Sequence, residues 1–260
     1  LNIILTLTPD SAILLTMSIP RFYSPEKLSP GSSIRLTDNA AIHASRALRM
    51  QVGDDAILFN GDGNDYLCAL TFMNKSEVSA KVKAVIANER ESPLDITLIQ
   101  AISSGDRMDF TIQKAVEMGV TAIQPIASQR SVVKLSGERA EKRREHWQNV
   151  VISACEQSGR AVIPQVAPAS SLANWLGKSE ASALRIILSP AASQSLHQLE
   201  KPGGGIQLLI GAEGGLTDGE IDLATAHQFV LVRLGSRILR TETAALSAIS
   251  ALQTLWGDFN

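Results

Sequence analysis

The chain has 260 residues, 45% of them hydrophobic and 19% charged, which is enough apolar material for one large domain or two small ones. A formal net charge of −2 does not announce a nucleic-acid binder, so any affinity for RNA must come from its 24 Lys and Arg residues being concentrated on one face. Only two cysteines occur, Cys68 and Cys155, with no CxxC and no histidine cluster at ligand spacing, which argues against a structural zinc or a disulfide scaffold and suits a reducing cytoplasm.

Residues 1–16 are apolar but lack the basic start and small-residue cleavage site of a signal peptide, and they are too short to span a bilayer. The first methionine is Met17, so we read residues 1–16 as a leader or upstream extension. No later run is long enough for a membrane helix. From Met17 to Ala87 the pattern is mostly strands around one short helix. Asp38 is expected to cap that helix, which should reach about Met50 with Ile42, Ala47 and Leu48 turned inward. Ala56–Phe59, the turn Asn60-Gly61-Asp62-Gly63 and Tyr66–Phe72 read as a hairpin, and Glu77–Ile86 as a further strand. Short strands with glycine turns predict a small barrel. Arg21, Arg46 and Arg49 are candidates for phosphate contacts, with ordinary solvated arginines as the alternative.

The charged stretch Asn88–Pro93 separates two patterns and places a boundary between a domain over 17–87 and another over 88–260. Beyond it strands and helices alternate. Strands are predicted at Leu94–Ala101, Ala122–Ile126, Arg185–Leu188, Gln207–Ile210 and Val230–Leu234. Helices are predicted at Arg107–Met118, from Glu138 to about Gln157, near Leu196, from Asp218 and from about Thr241. This βα alternation predicts an α/β domain with a mainly parallel sheet. Arg130, Lys134, Arg139, Lys142, Arg143 and Arg144 form the densest basic stretch, balanced by Glu138, Glu141 and Glu145. Cys155 reads as a buried, inert thiol.

Two motifs near the C-terminus carry the chemistry. Ile210-Gly211-Ala212-Glu213-Gly214-Gly215-Leu216-Thr217 is an apolar run breaking into a glycine turn. Leu234-Gly235-Ser236-Arg237-Ile238-Leu239-Arg240-Thr241-Glu242-Thr243-Ala244 follows a second apolar run and opens a helix. The glycine loop has no P-loop lysine and fails the G-x-G-x-x-G spacing of a dinucleotide site. Glu213 also sets a carboxylate where a pyrophosphate would lie. A neutral or cationic ligand approached by backbone suits the loop, and S-adenosylmethionine fits that description. An ordinary tight turn is the plain alternative.

Together these motifs resemble the RsmE family of small-subunit ribosomal RNA methyltransferases, in the SPOUT superfamily, and the resemblance extends from Met17 to the C-terminus. Ala212 departs from the proline more usual there. The resemblance implies an N-terminal PUA-like RNA-binding barrel and a C-terminal SPOUT domain with a deep trefoil knot. It implies methylation of N3 of a uridine in 16S ribosomal RNA, within an assembled or nearly assembled small subunit, by a cytoplasmic homodimer. It also implies that the cofactor, S-adenosylmethionine, meets three loops. Leu188, Ser189 and Pro190 form the first; Ile210, Gly211, Glu213, Gly214 and Gly215 the second; Leu234, Gly235, Ile238 and Leu239 the third. Leu188, Ile238 and Leu239 read equally well as core residues.

Uridine N3 carries a proton, and its loss spreads charge onto two ring carbonyl oxygens. Arg240 and Arg237 are the candidates to stabilise that charge. Glu242 either accepts the proton or favours the positive end of its helix, while Thr241 or Thr243 caps it. Arg130 joins Arg21, Arg46 and Arg49 as a candidate RNA contact. Two rival readings are a non-catalytic RNA-binding protein, less suited to so long an arginine motif, and a nucleotide-binding oxidoreductase, which lacks its fingerprint.

Overall fold

The computed structural model describes residues 19–131, 137–177 and 184–259; the expected leader and Lys134 lie outside them. The chain divides into two compact units, the residues up to Glu91 with Cys155–Ile163, and Ser92–Ala154 with Pro164–Asn260.

The first unit holds a five-stranded sheet of β1 (Arg21–Tyr23), β2 (Ser33–Arg35), β3 (Asp55–Phe59), β4 (Asn64–Met73) and β5 (Val78–Ala87), in the order β1-β3-β4-β5-β2. β3 and β4 are antiparallel around the Asn60–Gly63 turn, where Gly61 and Gly63 take φ of 93° and 89°, a region other residues avoid. Register shifts between Leu67 and Cys68 and between Leu70 and Phe72 bend β4 against β5. Val78, Ala80 and Val82 alternate inward on β5 and pack with Phe22, Leu58 and Leu70 in one core.

The predicted helix differs in detail. α1 runs only from Asp38 to Ile42, and a π-turn, His43–Ala47, continues it. Thr37, not Asp38, caps α1, its hydroxyl accepting from the Ala40 N–H. Ile42, Ala47 and Leu48 are exposed, Ile42 by 43% and Leu48 by 42%. Ala40, Ala41 and Ala44 face the core at ordinary helical spacing, and the wide turn then rotates Ala47 and Leu48 away from that face.

The second unit holds seven strands: β6 (Ile96–Ala101), β7 (Ala122–Ala127), β8 (Gln165–Val166), β9 (Ser170–Ser171), β10 (Leu184–Leu188), β11 (Ile206–Ile210) and β12 (Val230–Val232). Every pairing is parallel, in the order β12-β10-β11-β6-β7-β8 with β9 also on β7. The α-helices among the described residues beyond Glu91 are α2 (Asp106–Glu117), α3 (Gly137–Ser158, whose last four residues belong to the first unit), α4 (Leu172–Leu176), α5 (Asp218–Ala226) and α6 (Thr241–Trp256). β6, β10 and β11 are largely apolar and buried along most of their length, as a sheet covered on both faces requires, with Thr97 and Gln100, Arg185 and Gln207 as their polar members. Because β12, β10 and β11 are parallel neighbours, the loops after Leu188, Ile210 and Val232 leave one edge side by side. Among the described residues no helix is long and apolar enough to cross a membrane.

Candidate functional site

Those three loops enclose a cavity of about 610 Å³. Every residue expected to hold the cofactor lines it, from Leu188, Ser189 and Pro190 through Ile210, Gly211, Glu213, Gly214 and Gly215 to Leu234, Gly235, Ile238 and Leu239. Arg237, Arg240, Glu242 and Arg130 line it too. None of Leu188, Ile238 and Leu239 is a buried core residue, and Ile238 is 86% exposed. An apolar side chain held that open is available to a flat, neutral ring.

The glycine loop closes on itself. A Cβ at Gly211 would sit 3.0 Å from the Gly215 carbonyl carbon, and Gly215 takes φ of 71°. A Cβ at Gly214 would meet the Arg130 Cβ at 3.1 Å, so that glycine makes room for Arg130. Arg130 donates from Nη1 to the carbonyls of Gly214 and Leu216 at 3.0 and 3.1 Å. The predicted RNA contact is thus, in this structure, a support for the loop.

Glu213 points into a set of donors. Its Oε1 accepts from the Ser104 N–H, the Ser104 hydroxyl and Arg107 Nη1, each at 2.9 Å. Burial pushes the carboxyl up, but the backbone N–H groups of Ser104 and Glu213, the Ser104 hydroxyl and Arg107 outweigh it and hold the pKa down at about 2. Glu213 is ionised, and its charge is met by the protein's own donors.

α6 begins immediately after Arg240. Its N-cap has no side-chain hydrogen bond, so neither threonine caps it as expected; the Thr241 hydroxyl donates instead to the Gly211 carbonyl at 2.5 Å. Arg237 and Arg240 are exposed, and neither forms an ion pair with the described residues. Oε2 of Glu242 is buried with no hydrogen-bond partner among the described residues. Such an oxygen in a cavity wall asks for a donor or cation from a ligand.

The other candidates lie elsewhere. Arg21, in the first unit, is turned inward: its side chain is 7% exposed, with Nη1 2.6 Å from Oδ2 of Asp65 and the guanidinium over the Phe59 ring. Arg46 and Arg49 are exposed. In the basic stretch, Lys142 pairs with Glu138 and Arg144 with Glu141, the pattern of a solvated helix. Sequence reasoning passed over Ser104, Arg107 and Gln100. The available signal for Gln100 was an amide inside the otherwise apolar run Leu98–Ala101.

A family described as RNA methyltransferase domain matches residues 90–253, and one described as RNA methyltransferase PUA domain matches residues 36–83. The chain is 32% identical over 249 residues to the Ribosomal RNA small subunit methyltransferase E of Buchnera aphidicola subsp. Acyrthosiphon pisum, covering 96% of this chain and 98% of that protein. It is 31% identical over 236 residues to the Bacillus subtilis protein of the same name, covering 87% and 92%. Among solved structures, a Ribosomal RNA small subunit methyltransferase E from Neisseria gonorrhoeae bound to S-adenosyl methionine superposes with a TM-score of 0.88 at 47% identity, covering 93% of this chain and 100% of that one. A Legionella pneumophila protein in complex with the bound cofactor SAM superposes at 0.89 and 38% identity, covering 93% and 99%.

Proposed function

We infer the activity from one premise: the chain belongs to the family of Ribosomal RNA small subunit methyltransferase E, with a PUA domain followed by an RNA methyltransferase domain. It is an S-adenosylmethionine-dependent methyltransferase of small-subunit ribosomal RNA, and the target we propose is N3 of one uridine in 16S RNA. The observation that carries the reading is the convergence of glycine loop and arginine motif on one cavity, whose wall holds a Glu242 oxygen with no partner among the described residues.

The residues present fit the cofactor. Backbone without side chains at Gly211, Gly214 and Gly215, with Ile238 and Leu239 beside it, suits a neutral nucleoside, and the Glu242 carboxylate suits a cationic ligand. When bound, S-adenosylmethionine supplies an electrophilic methyl group. Arg237 and Arg240 offer fixed, permanently charged donors to the ring oxygens on which charge grows as N3 loses its proton. Glu242 accepts that proton. Arg46 and Arg49 are exposed cations of the PUA domain and contact RNA phosphate.

We place the substrate in an assembled or nearly assembled small subunit, and the working form as a homodimer built on the knotted domain typical of SPOUT proteins. The test of the site is calorimetry with S-adenosylmethionine, NAD and ATP side by side. Only the first should bind; binding of NAD or ATP in its place would return the chain to the oxidoreductase reading.

A further inference from the structure

The hydroxyl that reaches Gly211 is itself held. Oγ1 of Thr241 accepts from Nε2 of Gln100 at 2.9 Å, and the same amide nitrogen donates to the Ala101 carbonyl at 3.0 Å. All these groups belong to the second unit. Gln100 is fully buried and Thr241 is 6% exposed. The register of β11 on β6 sets Gln100 beside Ile210, the residue before the glycine loop.

A buried amide in a strand core is unfavourable unless its hydrogen bonds are made, and a leucine there would need none. Oε1 of Gln100 has no partner among the described residues. The work of this side chain is done by its nitrogen. A threonine hydroxyl has a single hydrogen, and by donating to Oγ1 the amide fixes that hydrogen on the Gly211 carbonyl. Thr241 stands between Arg240 and Glu242, both in the cavity wall, and Gly211 is the first residue of the glycine loop. The hydroxyl that could have capped α6 is spent on tying the two motifs together.

We propose that Gln100 and Thr241 are positioning residues that set the cofactor loop at a fixed separation from the groups acting on the base. The inference rests on the methyltransferase reading above. Its consequence is that affinity for cofactor and the rate of transfer depend on the same hydroxyl, although that hydroxyl need touch neither ligand.

The experiment compares wild type, Thr241→Val, Thr241→Ser and Gln100→Leu by calorimetry with S-adenosylmethionine, by single-turnover methylation of small subunits and by thermal unfolding. Thr241→Val should bind S-adenosylmethionine about tenfold more weakly, the scale of one lost hydrogen bond, and should also transfer more slowly at saturating cofactor. Thr241→Ser restores the hydroxyl and should restore both quantities. Gln100→Leu should move both in the same direction, and it carries the test where Thr241→Val fails to fold. A lowered Tm with unchanged affinity and rate in the folded variants would assign the relay to stability alone and overturn the proposal. Wild type that fails to bind S-adenosylmethionine overturns the methyltransferase site and this inference with it; wild type that binds, with both variants matching it, overturns this inference alone.

Discussion

Arg107 and Glu213 meet across 2.9 Å, so the carboxylate of the glycine loop is tied to the first turn of α2 and not left to face a ligand. The loop is therefore braced from three sides: by Arg107 with Ser104, by Arg130 and by Thr241. Ligand affinity and local stability become linked through those braces.

The first consequence concerns acid. The Glu213 pKa is lowered from 4.5 to about 2, so its stabilising contribution is present in full above 4.5 and is lost as pH falls through 2. Glu213→Gln should lower Tm at neutral pH, and the gap from wild type should narrow progressively as the pH drops below 4.5. A gap that stays constant from neutral pH down to 2 would show that the carboxylate is not what the braces hold.

A second prediction follows from the inward turn of Arg21. Asp65 is 4% exposed in its side chain, and without Arg21 it keeps, among the described residues, only the Asn88 amide on Oδ2, at 3.1 Å. Arg21→Met should cost roughly 3–5 kcal/mol in urea unfolding, the scale for stranding a buried charge. Adding Asp65→Leu should recover much of that loss. A double variant no more stable than the single one would mean that lost packing, not the orphaned carboxylate, sets the penalty.

How far these features could be read beforehand depends on where the partners sit in the chain. The strands β6, β10 and β11 are short, largely apolar runs, and the site loops carry their glycines and arginines in unbroken stretches. Both were legible. The relay from Gln100 to Thr241 spans 141 residues and the Arg21–Asp65 pair spans 44, and no local spacing encodes a tertiary pairing. The π-turn at His43–Ala47 defeated the 3.6-residue phase that placed Ala47 and Leu48 inside, whereas Ile42, which precedes it, lies on the outer face of α1. β8 and β9, two residues each, are too short to carry any period.

A third prediction separates two roles for Arg240, which is exposed in the cavity wall. If it meets the forming uridine anion, Arg240→Ala should lower kcat by about a hundredfold or more, the scale of one preorganised donor. Arg240→Lys keeps the charge without the planar fork and should rescue only in part. A phosphate contact would instead weaken RNA binding and flatten its salt dependence while turnover at saturating RNA stays near normal. Single-turnover methylation across a salt series decides between them, and the first pattern is the one expected.

The central claim is the identity of the methylated atom. N3 lies on the Watson–Crick edge of uracil, so a methyl group there blocks pairing and halts reverse transcription one nucleotide before the modified base. The direct measurement is to treat small subunits lacking this modification with the purified chain and S-adenosylmethionine, map the stops along 16S RNA, and identify the modified nucleoside by mass spectrometry. The account predicts one new stop, at a uridine, with 3-methyluridine as the product. Methyl transfer to a different base or to a ribose hydroxyl, or no transfer to any form of the small subunit, would contradict it.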